Sequence, residues 1–451
     1  MSRLALPLVL GLFLPAPTAA QSGSLAGRLD AFVQRYLDLG VFSGAVLVAR
    51  GDEVLLEKGY GMASFELGVP ATSEHRFRVA SVSKAFTDLA VLRLVVAGAL
   101  RWEDRVDEYV PDFPRGGEIT LRMLATHRSG IPHVNDLPWY DQFEFRDWRL
   151  DEIVDRLEDE PLDFEPGSDS NYSNGGFALL ARILELATVK PFGEVLREQV
   201  FEPAGMTDSG HESHNELVPM LASGYTYGLN GVVPAPSVEM SLKVGGGSAY
   251  STVGDLWRFA RAVESGALVA PALADSLFGT IDSPTGHPRV YHGGRAPGYT
   301  AALVRYPGED LVVAVLSNNY SRLNEEISDG LAGIVFGGTY ENRLGEILER
   351  RPFAAVDLAS SDVAPYAGPW RHAWGFTLDL EVENGMLVYR DPERGMRHRL
   401  IPLSESSFIS PWQWARLDFE RRPDGTVGAT MTWLDFPEKA WPLERREVDA
   451  P

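Results

Sequence analysis

The stretch Phe77 to Leu100, FRVASVSKAFTDLAVLRLVVAGAL, places a serine and a lysine three residues apart at the opening of an otherwise apolar segment. Residues three apart share a helix face, so the hydroxyl of Ser81 and the amine of Lys84 point the same way. Phe86, Leu89, Ala90, Val91, Leu92, Leu94, Val95 and Val96 then cover nearly every face, which predicts a helix buried on all sides. Ser81 suits an N-cap or first-turn position, where free backbone N–H groups and the positive end of the helix dipole favour a developing anion. A lysine held dry loses its proton more easily than one in water, because burial disfavours the charged form, and it can then act as a base toward the serine. Taken alone, the pair also fits a plain helix cap followed by a snorkelling lysine.

Two further stretches carry usable groups. Tyr172-Ser173-Asn174 precedes a helical segment, where serine and asparagine are ordinary caps. Tyr172 could also carry protons to and from a nucleophile, and Asn174 could bind a lysine or a substrate through its amide. Tyr291-His292-Gly293-Gly294 precedes a strand, with glycines that let a substrate approach the backbone, or it is a hairpin turn with a solvated histidine.

In this order, Ser81-Val82-Ser83-Lys84, Tyr172-Ser173-Asn174 and His292-Gly293-Gly294 together resemble the serine β-lactamase and penicillin-recognising enzyme family. ITLRMLATHRSGIP, FEPAGMTDSG and GGGSAYSTVGDLWRFA are similar to it as well, so the resemblance covers about residues 25 to 350. It implies an α/β body of the α+β type: an antiparallel sheet with helices plus a helical subdomain, and an active site between the two. It further implies that Ser81 is the acylated nucleophile, Lys84 its base partner and Tyr172 a proton shuttle. On the same basis Asn174, His292, Gly294 and Arg295 face the substrate, and the backbone N–H groups of Ser81 and Arg295 form an oxyanion hole. One departure stands out, for His292 occupies the place where many members carry a lysine, and histidine is mostly neutral at pH 7. With no Glu-x-x-Leu-Asn stretch either, the pattern resembles the class C, esterase and D-amino-acid peptidase branch. The implied substrates are small esters, peptides or lactams, and neither a cofactor nor a metal is expected.

Other classes fit less well. A Ser-His-Asp hydrolase of the α/β type would show Gly-x-Ser-x-Gly after a strand, which the chain lacks. His211 and His214 are the nearest pair of potential metal ligands, in loop-like surroundings. The alternative outside enzymology is a catalytically silent sensor or cell-wall recognition module on the same fold. Intact Ser81, Lys84 and Tyr172 count against it.

The elements that must position these groups can be read in outline. Ser24 to Leu39 is an amphipathic helix pattern, and GAVLVAR and EVLLEKGYG form a hairpin about Gly51-Asp52. Trp102 to Asp282 reads as mostly helical with long loops, including helices over Gly175 to Ala187 and after a Thr252/Asp255 capping box. Strands return at GYTAALVRYP and DLVVAVLSN, followed by a helix from Leu323 to Phe336. After Pro352 the pattern changes to period-2 runs with Asn384-Gly385 and Asp424-Gly425 turns, and with Trp370, Trp374, Trp412, Trp414, Trp433 and Trp441. That texture predicts a small all-β, barrel-like domain.

The opening residues, Met-Ser-Arg followed by LALPLVLGLFLPAPTAA, read as a signal peptide over 1–20, too short and proline-broken to be a stable membrane span. Cleavage there would remove Arg3 and take the formal charge from −22 to −23. The expected units are then a hydrolase domain over 22–350 and a β domain over 355–451, in a periplasmic or secreted protein. The acidic balance argues against a nucleic-acid partner. Without cysteine there are no disulfides, so the stability of an exported chain of 451 residues must come from a large core.

Overall fold

A computed structural model describes residues 23–38, 40–140, 146–228, 231–321, 323–337, 358–372, 377–390, 397–410, 415–433 and 440–445. The expected signal peptide, most of the junction between the two expected domains, and Trp374, Trp412 and Trp414 lie outside them.

The body is built on a five-stranded antiparallel sheet. Its strands are β1 (Gly44–Arg50), β2 (Glu53–Tyr60), β3 (Val290–Ala296), β4 (Tyr299–Tyr306) and β5 (Leu311–Ser317), in the order β3-β4-β5-β1-β2. The central strands are buried on both faces, and their alternation divides them between two cores. Ala45, Leu47 and Ala49, with Leu303, Ala314 and Leu316, face a large helical core. Val46 and Val48, with Val304, Val313 and Val315, face helices α1 (Leu25–Asp38) and α5 (Leu323–Val335) on the other side. There α1 and α5 touch so closely that a Cβ on Gly330 would lie 2.1 Å from Cζ of Phe32, so a larger residue would have to push that ring aside.

On the other face, the segment expected to be one helix from Phe77 to Leu100 is in three parts. Phe77–Arg78 is a short strand, Ala80–Val82 a 3₁₀ turn, and Ser83–Val96 the helix proper, α2. Helix α2 is buried nearly all round, from Ser83 to Thr87 and again at Leu89 to Leu92 and Leu94. It packs with α3 (Asn174–Thr188), and α4 (Val253–Glu264) packs against β1 and β5. Half of the expected capping box forms on α4. Thr252 Oγ1 accepts from the Asp255 N–H at 3.1 Å, but Asp255 accepts instead from the Asp208 N–H and the Ser209 hydroxyl.

The tail is a nine-stranded antiparallel sheet with its own core. Its strands are β6 (Gly368–His372), β7 (Thr377–Glu383), β8 (Met386–Arg390), β9 (Arg397–Arg399), β10 (Ile401–Pro402), β11 (Ser407–Ser410), β12 (Ala415–Arg421), β13 (Val427–Trp433) and β14 (Ala440–Arg445). The order is β9-β8-β7-β6-β14-β13-β12-β11-β10, so the two end strands are consecutive in sequence and the sheet curls into a nearly closed barrel. Trp370, Tyr366, Phe408 and Phe419 fill it, with Tyr366 and Phe419 stacked at 4.4 Å. The barrel docks on the hairpin Tyr225–Gly228/Gly231–Pro234. Ile409 joins Tyr227 in the second core, and the Nδ1 of buried His398 lies 3.0 Å from the Tyr227 carbonyl oxygen. Among the described residues, no helix is long and apolar enough to cross a membrane.

Candidate active site

Ser81 sits in the 3₁₀ turn ahead of α2, and Ala80 before it has φ +47°. A non-glycine residue in the left-handed region costs roughly 1 kcal/mol, and the surrounding packing must hold it there. Part of that packing is β3, for a Cβ on Gly294 would lie 2.0 Å from the Val79 carbonyl oxygen and 3.0 Å from the Ser81 nitrogen. The absent side chain is what lets the strand lie against the serine.

One turn on, Lys84 is only 7% exposed. Its Nζ is 3.4 Å from Ser81 Oγ and donates to Asn174 Oδ1 and to the Gly246 carbonyl oxygen, both at 2.7 Å. The rings of Tyr172 and Phe177 lie 4.6 and 5.2 Å from it. Burial lowers the Lys84 pKa to about 7; the nearby Asp88 carboxyl works against that drop and the Lys243 charge adds to it. The geometry suits the neutral amine. Its two hydrogens satisfy Asn174 and Gly246, which leaves the lone pair for the serine hydroxyl.

Tyr172 completes the contact, with its hydroxyl 2.6 Å from Ser81 Oγ. Desolvation raises its pKa, opposed by the Ser81 hydrogen bond and the Arg295 charge, so it is protonated at neutral pH although the residue as a whole is 44% exposed. Ser173 is the helix cap, accepting from the Gly176 N–H at 2.9 Å, and this leaves its neighbours for chemistry. Asn174 gives its amide nitrogen to Asn135 Oδ1 at 2.7 Å, so both ends of that side chain are fixed.

Two histidines that the sequence reading assigned no role hold this segment in place. His127 Nδ1 accepts from the Ser173 N–H and His133 Nδ1 from the Asn174 N–H, each at 3.2 Å. Both rings flank Tyr172, with centroids 4.7 and 5.5 Å away. An Nδ1 that accepts carries no proton, and burial lowers both pKa values, that of His127 to about 4. Their only signal in the sequence was their place in the stretch Ile119 to His133.

Ser81, Tyr172 and Asn174 line a cleft of about 690 Å³, together with Gly293, Gly294 and Arg295. His292 does not line it. Its neighbours Tyr291, Gly293, Gly294 and Arg295 do, while the His292 ring packs edge-on to Phe278 at 4.9 Å. Burial, and the charge of Arg305 after it, push the His292 pKa down to about 3. The sequence places His292 in the substrate-facing motif, and in the fold its ring lies against Phe278. Lys243 and Glu325, missed in the sequence, do line the cleft, and Glu325 accepts from Arg289 Nη2 at 2.7 Å. With the exposed Arg295, the cleft carries two cations and one carboxylate. No described residue of the barrel lines it.

The arrangement is a hydroxyl held between a phenol and a dehydrated amine, open to a cleft, which is what nucleophilic attack on an acyl carbon requires. Residues 29–335 match the family described as Beta-lactamase. A penicillin-binding protein of Bacillus subtilis (strain 168) is 30% identical over 407 residues, 82% of this chain and 88% of the relative. The esterase EstB of Burkholderia gladioli is 37% identical over 215 residues, 44% of this chain and 55% of the esterase. The octameric penicillin-binding protein homologue from Pyrococcus abyssi superposes with a TM-score of 0.60 at 21% identity, over 93% of this chain and 99% of that one.

Proposed function

The chain belongs to the beta-lactamase family, and from that premise we propose that it is an exported serine hydrolase working through an acyl-enzyme on Ser81. The observation that carries the reading is the contact of Ser81 Oγ with Tyr172 at 2.6 Å and with a dehydrated Lys84 at 3.4 Å. Ser81 Oγ attacks the acyl carbon while its proton passes to Lys84, directly or through Tyr172. The tetrahedral oxyanion is held by the backbone N–H groups of Ser81 and Arg295, where each preorganised donor is worth about 3 kcal/mol. Tyr172 returns the proton to the leaving alcohol or amine as the tetrahedral centre collapses. Water repeats the sequence on the acyl-enzyme and frees Ser81.

Small acyl esters are the first substrate class, since an alcohol leaves more easily than an amine. A second reading, a D-amino-acid peptidase or lactam hydrolase, is favoured by Arg295 and Lys243 in the cleft, because cations there suit a substrate carboxylate. A fluorophosphonate probe should label the protein, and Ser81→Ala should abolish labelling with the fold intact. Labelling that survives in the folded variant removes Ser81 from the mechanism, and an unlabelled wild type supports a silent recognition module. A comparison of kcat/KM for an uncharged nitrophenyl ester, a penicillin and a D-alanyl-D-alanine peptide then orders the substrates. A clear preference for the carboxylate-bearing pair replaces the esterase reading with the second one.

We also read residues 1–20 as a signal peptide, 22–350 as the hydrolase domain and 355–451 as a separable β domain, in a periplasmic or secreted protein. Mass spectrometry of the exported protein and of its limited-proteolysis fragments checks these readings. A mature start at Gln21 and first cuts between Arg350 and Ser361 are expected, whereas a retained N-terminus or first cuts elsewhere would refute them.

A further inference from the structure

The cleft straddles the edge strand β3. Ser81, Asn174 and Lys243 line it on the side of α2, whereas Asn324 and Glu325, in the first turn of α5, reach it from the opposite face of the sheet. A carboxylate in the first turn of a helix is ordinary, and an ion pair with a nearby arginine would account for it. The pairing here leaves charge over. Arg289 donates to two carboxylates at once, from Nη1 to Asp329 and from Nη2 to Glu325 at 2.7 Å. Burial raises the Asp329 pKa to about 6, so above that pH one cation faces two anions and the trio keeps one negative charge. The Arg289 and Asp329 side chains are buried, and Asp329 also accepts from the Tyr306 hydroxyl at 3.1 Å, whereas the Glu325 side chain is 38% exposed. Asp329 alone would balance Arg289. The second carboxylate is extra, makes no other ion pair among the described residues, and is the one of the three that opens into the cleft.

We propose that Glu325 is a specificity-determining residue: held in place by Arg289, it forms a cation subsite across β3 from Ser81 and selects esters or amides that carry an ammonium group several bonds from the acyl carbon. The inference rests on the hydrolase reading and names a substrate class for it. The two cations of the cleft stand elsewhere. Lys243 lies on the helical side, with its Nζ 5.2 Å from the Tyr140 ring, and the Arg295 charge is felt at Tyr172. Both would repel an ammonium group beside the serine, and both suit negative charge developing there. On the far side of β3 the guanidinium of Arg289 is already claimed by two carboxylates and lies buried over the Tyr291 ring, at 5.0 Å. A substrate with its acyl carbon at Ser81 and a cationic tail crossing β3 thus meets the charge it needs at each end.

Matched substrates test this. Thioesters of thiocholine put a trimethylammonium group in the leaving part, and nitrophenyl esters of a trimethylammonium-tipped acid put it in the acyl part. In each case a tert-butyl isostere has the same shape and no charge. At about pH 8, the ratio of kcat/KM for the cationic ester to that for its isostere should fall about fivefold from wild type to Glu325→Gln in one of the two pairs, the effect of one partly exposed ion pair. Glu325→Asp keeps the charge and should keep most of the ratio, which a merely structural role would not predict. Ratios unchanged in both pairs in folded Glu325→Gln overturn the proposal. Glu325→Met, of similar length and uncharged, is the second variant, and failure of both to fold would overturn the proposal by making the residue structural. Calorimetric titration of the same esters into Ser81→Ala, with and without Glu325→Gln, reads the subsite without turnover, and the same fivefold change is expected in the ratio of Kd values. A wild type that hydrolyses none of these esters therefore fails the hydrolase reading, while the Kd ratios still decide for or against the cation subsite.

Discussion

Replacing Lys84 by methionine should stabilise the protein near pH 6 and lose that advantage as the pH rises, by an amount that can be calculated. The ordinary lysine value of 10.5 falls to about 7 in the folded chain. Between those values the unfolded chain binds a proton that the folded chain does not, so the stability of the native protein rises with pH across this window. Below about pH 7 the lysine is charged in both states, and the folded state bears the whole cost of a buried ammonium. At about 1.4 kcal/mol per pH unit that cost is on the order of 5 kcal/mol. Methionine has a similar length and no charge, so it removes the pH-dependent term. It also leaves Asn174 Oδ1 and the Gly246 carbonyl oxygen without their donor. That loss of about 1 to 3 kcal/mol is nearly the same at every pH. The stability of Lys84→Met relative to wild type, from urea titrations at pH 6, 7.5, 9 and 10.5, should therefore be largest at pH 6 and fall by about 4 to 5 kcal/mol at the top of the range. A difference that stays flat with pH would mean that Lys84 keeps its usual affinity for protons, and its use as a base would go with it.

Lys84→Arg keeps the positive charge but cannot release a proton, so acylation should fall at least about a hundredfold, measured as the rate of fluorophosphonate labelling. Retention of most of the rate would make the lysine an electrostatic element only. Gly294→Ala puts a Cβ 2.0 Å from the Val79 carbonyl oxygen, a contact that only a shift of backbone can relieve. Loss of roughly 1 to 3 kcal/mol in urea unfolding, together with loss of labelling, is expected, and a variant with wild-type stability and rate would show that the strand does not need to lie against the serine turn.

Much of the site was legible because its parts are local. Ser81 and Lys84 meet through the helix repeat, and the cap at Ser173 puts Tyr172 and Asn174 at a helix entrance, where their groups are free to face outward. What was not legible depends on register and on long-range packing. His292 sits between residues that line the cleft, and the motif alone could not show that its ring packs against Phe278 instead. Lys243, at the end of the 3₁₀ turn Met240–Lys243, and Glu325 reach the cleft from distant parts of the chain, which no local pattern showed. The fold was easier. Buried strands alternating between two cores, and the change to period-2 patterning in the tail, are properties of short windows, whereas the break at Ala80 depends on contacts with β3.

The docking of the barrel on the hairpin over residues 225–234 reaches further than the joint itself. Behind that hairpin, Gly224 and Ala235 pack against Gly298, in the turn that joins β3 to β4 beside the cleft. The Tyr225 backbone, in turn, is bonded on either side to Asn318 and Tyr320. For anyone building chimeras, the natural seam therefore does not coincide with the linker in the sequence. A tail grafted from a relative would arrive with a foreign surface opposite Tyr227 and its neighbours, and the transplant would be felt at the lip of the active site. Tail and hairpin form one exchangeable cassette.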